Sequence, residues 1–146
     1  MTHYKLNGVE FENSDLSNGN WFNTSFNSCR IYNSILSNLD AVDSAFKNCH
    51  FIKSIFYQTY LWGAKFTGVD FHKCRFEQTK MRDTTFANCS FTKVEFLALS
   101  YTGDDVSFQK CKFKSCNFVG FTDEDFSKIR FEDCEFDAES QRWLPW

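Results

Sequence analysis

Large apolar residues recur along this chain at every fifth position. In the stretch FANCSFTKVEF (86–96) they are Phe86, Phe91 and Phe96. A helix presents one face about every 3.6 residues and a strand about every 2. Five suits neither. On a helix the row would wind around the cylinder, and on a flat strand successive Phe would lie on opposite faces. Yet the period runs unbroken through Leu6, Phe11, Leu16, Trp21, Phe26, Ile31, Leu36, Ala41, Phe46, Phe51, Phe56, Leu61, Phe66, Phe71, Phe76, Met81, Phe86, Phe91, Phe96 and Tyr101. It resumes after seven residues at Phe108, Phe113 and Phe118, and after eight at Phe126, Phe131 and Phe136. Of the nineteen Phe, only Phe22 and Phe121 miss this register.

A second row lies two residues before each of these centres. It holds small residues such as Val9, Ser14, Thr24, Ser44, Ala64, Val69 and Thr84, and it holds all seven cysteines: Cys29, Cys49, Cys74, Cys89, Cys111, Cys116 and Cys134. The positions flanking each centre are mostly polar. Asn recurs two residues after it, at Asn13, Asn18, Asn23, Asn33, Asn38, Asn48 and Asn88, where turn-like backbone is tolerated. The centre and the small residue two before it therefore share one inward strand face, and the rest of each five turns a corner. Four such sides close a square, so twenty residues make one coil. Each coil stacks on the last at the usual strand spacing of about 4.8 Å.

This pattern resembles the pentapeptide-repeat family, whose unit is loosely a small residue, a polar residue, Leu or Phe, and two polar residues. CRFEQ (74–78), TTFAN (84–88), CSFTK (89–93), CEFDA (134–138), SDLSN (14–18) and AKFTG (64–68) all match. The chain is richer in Phe and Cys than many members. The resemblance implies an all-β fold, a right-handed quadrilateral β-helix of about 6–7 coils and roughly 30 Å in height. Residues 1–138 are expected to form this single unit and residues 139–146 a C-terminal cap or dimerisation tail. Irregular coils are expected near 102–107 and 119–125, where the period slips. Such insertions belong at a corner, either as a plain bulge or as a loop that touches a partner.

Composition changes little in this picture. Aromatic residues make up 19% of 146, ample for one packed core. MTHYKLNGVEF has no apolar leader segment and no apolar run is long enough to span a membrane, so a cytoplasmic protein without membrane contact is expected. The net charge of −3 is uneven. Residues 46–115 carry eleven basic and six acidic side chains, while 116–146 carry three basic and eight acidic. Neither segment has the strength of a nucleic-acid footprint, so direct nucleic-acid binding is not expected.

The sequence offers little chemistry. The cysteines lack a C-x-x-C pair and read as small core fillers, with a stacked disulfide, a metal or a nucleophile as the alternatives. His3, His50 and His72 read as surface residues. There is no phosphate-binding glycine loop, and a tube filled by Phe leaves no catalytic pocket. No enzyme, cofactor or metal is expected.

The outward apolar residues are more informative. Phe22, Val42 and Trp62 form one row, Ile35, Ile55 and Tyr57 lie on the adjoining face, Tyr60 sits beside Trp62, and Tyr32 aligns with Ile52. They are expected to form an exposed partner-binding patch, against the plainer alternative of aromatic and β-branched preference for strands. At the C-terminus, Trp143, Leu144 and Trp146 are expected to cap the open end or to join two copies. Asp123, Glu124, Asp125, Glu132, Asp133, Glu135, Asp137 and Glu139 form a candidate acidic face for a basic partner. A protein-interaction scaffold, binding a partner or itself, is the expected function. The alternative comes from the resemblance. Quinolone-resistance (Qnr) proteins and the microcin B17 immunity protein protect bacterial type II topoisomerases, DNA gyrase or topoisomerase IV, by resembling duplex DNA. The basic middle of this chain departs from that plan.

Overall fold

The computed structural model describes residues 3–97 and 105–146. The expected repeat centre Tyr101 and the loop residues Thr102, Gly103 and Asp104 lie outside that range. The chain winds as a four-sided β-solenoid of about six turns, with parallel strands throughout the described residues. The first face stacks seven strands from Tyr4–Asn7 to Ile129–Glu132, and the second stacks seven from Glu10–Glu12 to Glu135–Phe136. The third has four, from Ile55–Tyr57 to Asn117–Val119, extended below by bridges from Asp15 to Ile35 to Ile55. Pairing is strictly twenty residues apart in the early coils, as in Phe26 with Phe46 and Phe51 with Phe71.

The fourth face has bridges but no strands among the described residues, joining Asn20, Asp40, Tyr60 and Lys80. Local chemistry explains it. Its sides end in four-residue turns, with the amides of Thr24, Ser44, Ala64 and Thr84 donating to the carbonyls of Trp21, Ala41, Leu61 and Met81. Asn20 and Asp40 side chains accept the amides of Phe22 and Val42 at 2.9 and 3.1 Å, a bond that favours turn over strand. Both slips in period fall between a strand of the third face and the next strand of the first. Phe108 pairs with Phe86 and Phe131 with Phe108, so each extra length leaves the other faces in register. The second slip holds the short helix α1, Asp123–Ser127. Phe126, expected as an ordinary repeat centre, sits on this helix. It is still buried, with its ring 4.9 Å from Phe121 and 6.0 Å from Phe118.

The corners explain the recurring Asn. Among the described residues, every non-glycine residue with left-handed backbone lies two positions after a centre, except Asp105. Asn tolerates that region best and glycine takes Gly8, Gly63, Gly68 and Gly120. Inside, Phe rings stack in three columns. Successive coils place them 4.5 Å apart at Phe56–Phe76 and 5.2 Å apart at Phe51–Phe71, with planes 8° and 10° from parallel. Neighbouring columns meet edge to face, as at Phe71–Phe76. Each such ring contributes roughly 1.5–3 kcal/mol by leaving water. On the fourth face the first four centres are instead Trp21, Ala41, Leu61 and Met81.

One coil on that face inverts the usual sizes. Leu39 fills the position normally small, and Ala41 the position normally large; both are buried. Gly19 lies beneath Leu39, and a Cβ there would stand 2.8 Å from the Leu39 Cδ1. The glycine is thus required by its neighbour one coil above.

Candidate functional site

The outward side chains predicted to form one patch occupy three faces. Tyr32 and Ile52 are on the second, Ile35, Ile55 and Tyr57 on the third, and Tyr60, Trp62, Val42 and Phe22 on the fourth. They form a band that bends around two edges of the tube, so a flat partner meets only part of it. Trp62, Ile35 and Ile55 stand freest, 44%, 43% and 39% exposed. The others are half-buried. Ile35 and Ile55 are in-register neighbours. Tyr60 meets Trp62 nearly at right angles, with centroids 6.0 Å apart. Lys80 lies over the Tyr60 ring at 4.1 Å and donates to its hydroxyl at 2.9 Å. Tyr32 is flanked by Arg30 and Lys53 at 5.5 and 5.8 Å from its ring. These cations pack against the rings of two of the band's tyrosines.

The eight C-terminal acidic residues do not share a face. Asp123, Glu124 and Asp125 open α1, where Thr122 and Asp125 form reciprocal capping bonds. Glu124 pairs with Lys128 at 3.5 Å and Glu135 with Lys112 at 3.8 Å. Asp137 caps helix α2, Ala138–Gln141, accepting from Ser140 N and Ser115 N at 2.9 Å each. Bonds from Ser140 hold its carboxyl below the usual range. Glu132 ends the last strand of the first face, Asp133 follows it, and Glu139 lies on α2. Several of these carboxylates thus have a structural task, and together they ring the last coil.

The tail closes that end. Ser140 accepts the Cys116 amide at 2.9 Å, which pins α2 to the coil below. Leu144 is buried, and the Trp146 ring packs 5.6, 6.0 and 6.4 Å from Phe131, Phe126 and Phe136. Trp143 points out and is 40% exposed. At the opposite end Leu6, Val9, Phe11, Leu16 and Trp21 are only half-buried.

The cysteines have a role that spacing did not reveal. Sγ of Cys74 donates to the Phe51 carbonyl at 3.2 Å, as Thr79 and Thr84 hydroxyls do to Phe56 and Leu61 at 2.9 and 2.6 Å. Each donor satisfies the carbonyl of a centre 23 residues earlier. Cys, Ser and Thr therefore share this row because each is small and donates a proton. Burial pushes the Cys74 thiol up to about 12 and the Cys49 and Cys116 thiols up to about 11. No group of three His, Cys, Asp or Glu suited to a metal occurs among the described residues. His50 instead meets Asp70 at 3.2 Å on the surface, and His3 lies against Ser25 and Asn23. No described helix is long and apolar enough to cross a membrane.

Residues 61–100 match the family model for pentapeptide repeats (9 copies). No curated protein matches the chain by sequence. Among solved structures, two trypsin-treated forms of QnrB1, a plasmid-mediated fluoroquinolone resistance protein, share its fold. One aligns over 92% of each chain at 11% identity with a TM-score of 0.59. The other covers 94% of this chain and 92% of its own, at 9% identity and 0.54. Identities this low speak for the fold. Residues 61–100 thus match pentapeptide repeats, and the five-residue period and the four-sided stack of parallel strands give the described chain the fold of pentapeptide-repeat structures.

Proposed function

We propose that this protein is a non-catalytic interaction scaffold that binds a protein partner, or a second copy, through the outward apolar band. The observation that carries this is the freely exposed set Ile35, Ile55 and Trp62 on a tube whose interior is filled by stacked Phe. Isolated exposed apolar residues are ordinary, but neighbouring ones rimmed by polar groups are typical of interfaces. A photoreactive residue placed at Trp62 or Ile55 tests the reading. It is expected to yield a discrete protein adduct, while the same group at Thr67 on the first face yields none. Equal labelling at all three positions would reject the band as the contact surface.

A second reading has its own support in the likeness to a fluoroquinolone resistance protein and in the acidic last coil. Under it the tube engages a bacterial type II topoisomerase. Titration into a gyrase supercoiling assay, with and without a quinolone, separates the two. Inhibition or protection at low micromolar protein favours this second reading, and no effect at large excess removes it.

A further inference from the structure

The corner between the second and third faces carries a row of lysines. Asn13 and Asn33 begin that column, and Asn33 Nδ2 donates to Asn13 Oδ1 at 2.7 Å, the ladder expected at a left-handed corner. The next three coils replace Asn with Lys53, Lys73 and Lys93. All three are exposed and have φ of 50°, 54° and 53°. Backbone bonds lock them in line, with Lys53 N donating to His72 O and Lys73 N to Thr92 O at 2.8 and 2.9 Å. Two costs coincide at this column. Left-handed backbone is unfavourable for a long unbranched side chain, and like charges repel at a coil spacing of about 4.8 Å. No carboxylate reaches salt-bridge distance of any of the three among the described residues. Lys112 and Lys114 continue the positive strip upward on the second face. Apolar residues flank its lower part, Tyr32 and Ile52 on one side and Ile35 and Ile55 on the other.

We infer that this edge docks an acidic amphipathic helix of a partner protein, its carboxylates on Lys53, Lys73 and Lys93 and its apolar flank on Ile35 and Ile55. This rests on the reading of the apolar band as a protein-contact surface and names what part of it receives. Spacing selects the helix. Carboxylates one turn apart on a helix rise about 5.4 Å, so over two intervals they drift only about 1 Å from the lysine row. Alternate residues of an extended strand advance about 6.6 Å and drift about 4 Å. Flexible lysine arms absorb the first and not the second. A nucleic-acid strand has no use for the flanking isoleucines, and the carboxylates Glu10, Glu12, Glu135 and Asp137 bound the strip at both ends of the second face, which suits a short ligand.

The probe is a fluorescein-labelled Ala-based helical peptide with Glu once per turn and Leu beside it. Its controls are a peptide of the same composition with the Glu scattered around the helix, and a twelve-nucleotide oligothymidylate. Wild-type protein is expected to bind the first peptide at least about 10-fold more tightly than either control, with affinity falling as salt rises. The triple variant Lys53→Asn, Lys73→Asn, Lys93→Asn is expected to lose about 10-fold or more, Ile35→Ser with Ile55→Ser to weaken binding, and Thr67→Ala on the first face to leave it unchanged. Full binding by the lysine variant, equal binding of the scattered peptide, or tighter binding of the oligonucleotide overturns the inference. If only the isoleucine variant loses binding, the band reading survives and the lysine edge does not. If neither variant loses binding, both fall. Because Asn suits this corner, the lysine variant is also expected to melt a few degrees higher at low salt, with the gain shrinking at high salt. An unchanged or lower melting temperature shows that the row stores no cost and counts against a retained binding role.

Discussion

Phe71 and Lys73 stand two residues apart and face opposite surroundings. Phe71 is buried between Phe51 and Phe91, 5.2 and 4.9 Å from their ring centroids. Phe71→Ala is expected to cost about 3–5 kcal/mol, while Lys73→Ala costs less than about 0.5 kcal/mol. Urea midpoints for the two variants check this, and equal midpoints would contradict the inward placement of the five-residue row. Gly19 offers a sharper test. Gly19→Ala is expected to lose about 1–3 kcal/mol through overpacking, and much of that loss should vanish in a Leu39→Ala background. At Cys74 the sign of a pH effect follows from burial. Its thiol is held up at about 12 against an ordinary value of 9.0. Folded and unfolded chains therefore bind the same protons below about pH 9, and only the unfolded chain releases one above it. Its contribution is complete below about pH 9 and is lost as pH rises toward 12. Cys74→Ser keeps a hydroxyl donor like that of Ser54 one coil below, and is expected to flatten this part of the alkaline decline in urea midpoints.

At the scale of the element, the sides of the tube were legible because the pattern of large, small and polar residues is the same on each. The Asn positions marked the left-handed corners for the same reason. The fourth face was not legible as a different kind of side. Its turns depend on Asn20 and Asp40 accepting amides two residues ahead, and on the periodic pattern these look like any polar flank. Nor was the donor role of Cys74 and its equivalents, since the accepting carbonyl lies a coil away, at Phe51. The apolar band was legible as a set of residues but not as a shape, because the corners that divide it among three faces leave no mark on outward positions. The local duties of the acidic tail were hidden in a similar way. Asp125 completes the capping box of α1 and Asp137 is the N-cap of α2, so their charge belongs first to local structure. Asp137→Ala is expected to loosen α2 by about 1 kcal/mol, read as faster amide exchange at Ser140 and Ser115.

Across the whole molecule the two ends differ in what lies over them. Leu144 and Trp146, the latter 60% exposed, pack over the last coil, whose Phe131 and Phe136 are still half-buried, as Phe11 and Trp21 are in the first. Loss of residues 143–146 is expected to lower the melting temperature and to promote end-to-end self-association. Trp62→Asp should change neither stability nor end association, but should abolish any dimer formed through the band. Sedimentation of the two variants reads this directly, and the same oligomer for both and for wild type would dispose of a band-mediated dimer.

The twenty-residue pairing between coils has a further consequence for how such a chain tolerates editing. Excising twenty consecutive residues from the regular coils between 27 and 87 removes one storey and leaves every later side chain pointing the same way. Excising five keeps each repeat intact but rotates everything beyond the cut by a quarter-turn. Lys73 and Lys93 would then continue a column other than that of Asn33, and the band would be cut from the lysine edge it adjoins. In this architecture the length of a deletion, far more than its location, decides whether a surface survives.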